Sequence, residues 1–191
     1  MFLGTSMNSV HADNPTALRL KVSNPSFYQT MLQQKTPVWC EFLSEGIDIC
    51  LLKVQENQIH LIPMSERPQG DWKTMVPPVS LLTNERFVKQ SIQGTNVSYW
   101  ASGRMDGLDG LGWLYPEALK AMVGTDVLVA QPMPGAFFVW SKDSMDANKI
   151  MAISIKELYS TAEEPVSPYI YHWSKDAWRV WGEAVKKSSS P

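Results

Sequence analysis

The side chains that could do chemistry are few and scattered. The chain has three histidines, His11, His60 and His172, and two cysteines, Cys40 and Cys50. No two histidines stand at metal-ligand spacing and no Cys-x-x-Cys accompanies them, so each reads as a structural histidine and no metal is expected. A Gly-x-Ser-x-Gly elbow and a phosphate-cradling loop ending in Lys-Ser/Thr are both absent from the sequence. A Cys–His pair with His60 or His172 would need only closeness in space. Against it, both cysteines fall in apolar runs, where burial raises a thiol's pKa and makes it inert. No catalytic residue and no cofactor is therefore assigned.

The most polar glycine-rich stretch is Arg104-Met-Asp106-Gly-Leu-Asp109-Gly110. Two carboxylates three apart could hold a cation or face a basic partner, but the spacing does not fit a twelve-residue calcium loop. Asp-Gly steps also suit tight turns, because glycine reaches positive φ. Eight tryptophans are the one compositional excess. Trp39 and Trp140 sit in strand-like runs and read as core. Trp100 and Trp113 flank the glycine-rich stretch, and aromatics with a polar handle are common at interface hot spots. Trp100, Arg104, Asp106, Asp109 and Trp113 are thus the candidate partner-binding residues.

Composition narrows the class. With 17 Lys+Arg and 19 Asp+Glu the net charge is −2, and no basic cluster of the kind nucleic acid demands is present. No apolar run approaches the roughly 20 residues of a membrane span. The first ten residues lack a basic region followed by a long apolar stretch, so the cytosol is expected. At 44% hydrophobic and 191 residues, the chain can hold a sizeable core as one domain.

The elements that would position these residues emerge from local signals. Asn24–Pro25 opens a helix over Pro25–Gln34. Val38–Leu43, Ile47–Val54 and Gln58–Pro63 read as a three-stranded meander. With a two-residue turn at Glu45–Gly46, Ser44 faces Ile47, and Val38, Cys40, Phe42, Ile47, Ile49 and Leu51 share one face. A three-residue loop would instead set Cys40 opposite Cys50. The first register separates apolar from polar better, so two free, mostly buried thiols are expected.

Beyond a Pro-rich loop, Val79–Leu82 reads as a strand, Thr83 or Asn84 as the cap of a helix to about Gln90, and Val97–Ala101 as a strand. Pro116–Val123 is a short helix closed by Gly124. Asp126–Ala130 and Ala136–Trp140 read as strands, Ser144–Tyr159 as a helix, and Lys175–Lys187 as a last helix with Trp178, Trp181 and Val185 on one face. Trp-Ser-Lys-Asp occurs twice, at Trp140–Asp143 and Trp173–Asp176, each time ahead of a run with helix signals. Strands grouped in hairpins with helices between them imply an α+β fold, a mostly antiparallel or mixed sheet covered by helices in a single compact domain.

Pro25-Ser-Phe-Tyr-Gln-Thr-Met-Leu32 running into Thr36-Pro-Val-Trp39, then Val76-Pro-Pro-Val-Ser-Leu-Leu-Thr-Asn84, then Leu114-Tyr-Pro-Glu-Ala-Leu-Lys-Ala-Met-Val-Gly124 together resemble the N-terminal domain of the SseB family. The resemblance covers residues 15–124. It departs from the family at Leu82-Thr-Asn84, where Phe-Thr-Ser is usual, and at Ser98-Tyr-Trp-Ala-Ser-Gly103, where an Asn-Pro step is common. Residues 125–187 would add a β-hairpin and two helices to the same domain, between a disordered start (1–14) and a short tail (188–191). The resemblance implies a bacterial protein with no catalytic residues to transfer. Related domains occur among immunity proteins that neutralise toxins delivered between competing bacteria. The resulting expectation is a non-enzymatic protein that occludes a cognate toxin. A small-molecule enzyme or sensor and a cytosolic adaptor are the alternatives.

Overall fold

The computed structural model describes residues 18–55, 58–76, 86–102 and 108–183. In chain order these form β1 (Arg19–Ser23), α1 (Pro25–Gln33), β2 (Cys40–Ser44), β3 (Ile47–Gln55), β4 (Gln58–Leu61), β5 (Val88–Ser91), β6 (Ser98–Ser102), α2 (Pro116–Val123), β7 (Val127–Met133), β8 (Ala136–Ser141), α3 (Met145–Thr161), β9 (Tyr169–Ser174) and β10 (Ala177–Glu183), with a six-residue 3-10 helix at Asp109–Leu114 ahead of α2. The fold is α+β, and every strand pairing among the described residues is antiparallel.

Local chemistry explains the three helices. Asn24 accepts from the Phe27 N–H, and Pro25 occupies the first helical position of α1, where a missing N–H loses nothing. Pro116 opens α2, and Gly124, at φ 86°, closes it in the left-handed conformation. The Ser144 hydroxyl caps α3 by accepting from Ala147.

The strands make two sheets. In the smaller, β3 carries β1 on one edge and both β2 and β4 on the other. Leu51 shows how: its N–H donates to Trp39, and its carbonyl, on the same side of the strand, accepts from Ile62. The larger sheet runs β10-β9-β7-β8-β6-β5. One core lies between the sheets and joins Ile49, Leu51, Trp113, Phe137, Val139, Tyr171 and Trp178. The second lies between the larger sheet and α3, where Leu128, Trp140 and Ile170 meet Ala147, Met151 and Ile155. Two buried hydroxyls tie the sheets together: Ser44 donates to the Trp178 carbonyl at 3.0 Å, and Tyr171 donates to the Glu45 carbonyl at 2.7 Å.

Several expectations are corrected. Lys175–Lys187 is no helix over its described part: Lys175 and Asp176, both at positive φ, form a two-residue turn, and Ala177–Glu183 is β10, paired with β9. The C-terminal part therefore adds two hairpins and one helix. The side chains decide this, since Trp178 and Val180 pack inward two apart while Arg179 and Trp181 face out, a strand period. Val88–Ser91 is a strand, where the sequence suggested the end of a helix; Val79–Leu82 and the proposed cap at Thr83 or Asn84 lie outside the described residues. β1 carries no sequence signal strong enough to announce it.

Cys40 and Cys50 form a disulfide, which overturns the two free thiols. The two-residue turn is present and Ser44 pairs with Ile47, but a bulge between Phe42 and Ser44 shifts the register, so Cys40 lies opposite Cys50.

Candidate functional site

A groove of about 480 Å3 opens where β1, β4 and the β7–β8 turn meet. Its walls are apolar, from Val22, Phe27, Leu52, Leu61 and Pro134, and four polar residues also line it: Lys21, His60, Asp109 and Gln131. Its volume lies within the range of small-molecule pockets. The 3-10 helix reaches this place because its glycines have no side chain. A Cβ on Gly110 would lie 2.6 Å from Val22 Cγ2, and one on Gly112 would lie 2.7 Å from the Phe137 ring. Close approach is what these glycines serve.

Asp109 is buried and accepts from the Ser102 hydroxyl, with Arg86 Nη1 at 3.9 Å; both partners are buried too. Such a carboxylate stays where its cation holds it, because removing either partner would strand a buried charge. Gln131, 3% exposed, has its Oε1 set by the Trp113 indole N–H at 2.7 Å. An indole can only donate, so this contact fixes which end of the amide is oxygen. Trp113 in turn accepts at its carbonyl from the Trp178 indole at 2.8 Å. Its ring stands edge-on to Phe137, Tyr171 and Trp178, with centroids 5.1–5.3 Å apart.

At the rim, Lys21 Nζ lies 3.2 Å from Glu164 and 4.9 Å from the centre of the Phe27 ring. Deeper in the inter-sheet core, burial pushes the Tyr171 hydroxyl well above the ordinary phenol range, so it stays a neutral donor to Glu45.

The five residues chosen from the sequence part company here. Trp113 is at the centre of the core and Asp109 faces Arg86, so neither presents its side chain to a partner. Arg104 and Asp106 lie outside the described residues, as does His11. Trp100, half-buried on β6, keeps a surface position with Lys89 Nζ 5.0 Å above its ring. The Cys–His idea ends with the disulfide, which leaves no thiolate to act. His60 is exposed on β4. His172 lies on β9 with Nε2 3.6 Å from Asp126, which also pairs with Lys120 at 3.5 Å. Among the described residues no three His, Cys, Asp or Glu side chains gather as a metal site would require, and no helix is long and apolar enough to cross a membrane. Sequence reasoning missed Gln131 and Lys21; the one available signal was a glutamine closing the apolar run Val127–Ala130 just before Pro132.

The two ends of the larger sheet differ. The β10 end is covered by the smaller sheet, through Ser44 on the Trp178 carbonyl. At the other end β5 pairs with β6 alone among the described residues, and all four of its side chains are exposed. Comparison with known proteins finds no matching family model, no matching curated protein and no matching solved structure.

Proposed function

We propose that this protein works by binding another protein, at the β5–β6 end of its larger sheet. The observation that carries this is the edge of β5, which pairs with β6 alone among the described residues and whose four side chains are all exposed. An edge strand offers a row of backbone donors and acceptors to an incoming extended segment, and side-chain contacts beside it supply selectivity. Trp100 is that neighbour, on the strand paired with β5. Lys89 guards the edge against pairing with its own kind and favours a partner with an acidic side chain opposite. The engaged state of Asp109 and of both cysteines supports binding over bond-making.

The finer reading is an immunity role, in which the bound protein is a cognate toxin that the chain occludes. Its support is the SseB-like sequence pattern, and the disulfide adds an oxidising compartment as the place where the two would meet.

A photocrosslinking residue at Gln90 on β5 tests the interface, with the same residue at Ile153, on the exposed side of α3, as control. One discrete adduct from position 90 and none from 153, in cells that carry the native partner, is the expected result. Equal labelling from both positions, or none from 90, overturns it. For the immunity reading, the crosslinked species must be a toxin whose activity the purified chain abolishes.

A further inference from the structure

The geometry points to a second, small-molecule site in the groove beside β1, built to take an apolar carboxylate; it is independent of the protein-binding reading. The carrying observation is Gln131. This side chain is 97% buried and its oxygen is committed to Trp113, yet its Nε2 donates to no group among the described residues. That nitrogen is open to the groove, so its N–H can donate to a ligand's oxygen there. Gln131 lines the groove, so the acceptor it lacks can be supplied from there.

The rest of the groove says what carries that acceptor. Phe27, Leu52, Leu61 and Pro134 offer an apolar body its contacts. Charge selects the head group. Lys21 lies on the rim, and its present partner Glu164 is largely exposed, so an incoming anion can replace that contact at little loss. The competing attraction would be Asp109 toward a cation, but its charge is already met by Arg86. A neutral or anionic oxygen on an apolar body therefore fits, an anion better, and an ammonium does not.

Phenylbutyrate, phenylbutanamide and phenylbutylammonium share one apolar body and differ in head group. Titrating each into the full chain, with calorimetry and the Gln131 side-chain amide resonance as readouts, separates the cases. Saturable binding of the acid with a shift of that resonance is expected, with the amide weaker and the ammonium inert. Gln131→Glu keeps the oxygen for Trp113 and loses the donor; acid affinity should drop about tenfold or more. Lys21→Gln should narrow the preference for acid over amide. Should Gln131→Glu fail to fold, Leu61→Trp fills the groove from a half-exposed position and should abolish binding. An ammonium that binds as well as the acid, an unmoved Gln131 resonance, or unchanged affinity in a folded Gln131→Glu or Leu61→Trp variant overturns the site.

Discussion

The tetrapeptide Trp-Ser-Lys-Asp occurs twice and folds two ways. At Trp140–Asp143 it ends a strand and leads into α3. Trp140 is fully buried and donates to Asn148 at 2.8 Å, Asn148 returns a bond to the Lys142 carbonyl at 3.0 Å, and Asp143 accepts from Thr125 at 2.7 Å. At Trp173–Asp176 it makes a hairpin, with Lys175 at φ 52° and Asp176 at φ 57°, and Trp173 meets Trp178 edge-on across the strands with centroids 5.3 Å apart. The four residues are compatible with both outcomes, and the next few residues of each copy decide between them. Ser144 can cap a helix whose Ala147, Met151 and Ile155 recur every four residues, whereas Ala177 cannot cap, and Trp178 and Val180 alternate with outward side chains.

The contrast between the two copies is open to experiment, beginning with the aromatic that opens each. Trp140→Ala should lower unfolding free energy by about 3–5 kcal/mol in urea titration, as large-to-small changes do in a core, and Trp173→Ala by well under half of that because its ring is partly exposed. Equal losses would mean that the two rings sit in equivalent surroundings. The β2–β3 hairpin offers a control in which a covalent link holds the strands in addition to a turn. Reducing Cys40–Cys50, which are ten residues apart, should remove about 3 kcal/mol by the loop-entropy relation, while the β9–β10 hairpin has nothing to lose under the same reductant. Ser144→Ala should cost about 1 kcal/mol through the lost cap, read as a lower Tm.

The smallest effects are the most diagnostic, because they have opposite signs. Asp176→Gly should stabilise by up to about 1 kcal/mol, since glycine accepts positive φ without penalty. Asp143→Gly should destabilise by about 1 kcal/mol, since it removes the acceptor for Thr125 and gains nothing in return. If Asp176→Gly destabilises as well in thermal melts, the β9–β10 turn does not hold that residue at positive φ.

Legibility followed the range of the forces involved. The cap at Asn24, the Pro116 start and the Gly124 end of α2, and the Glu45–Gly46 turn could all be read because each depends on a few neighbouring residues. The candidate site was read less well. A glycine-rich stretch with two aspartates looks like a surface loop, yet its glycines let Asp109 and Trp113 pass close beneath Val22 and Phe137 into the core. Gln131 gave almost no notice, because its role depends on an indole 18 positions upstream.

From sequence alone came the α+β class, three of the helices, the positions of the early turns and the amphipathic face of α3. The meeting of distant segments was needed to decide that Ala177–Glu183 is a strand, that a bulge brings Cys40 opposite Cys50, and that Asp109 is an inward ion-pair partner. Caps and turns are satisfied within one or two turns of chain. Strand pairing, thiol proximity and the burial of a charge require groups far away in sequence, so their energies exist only once the two sheets have met.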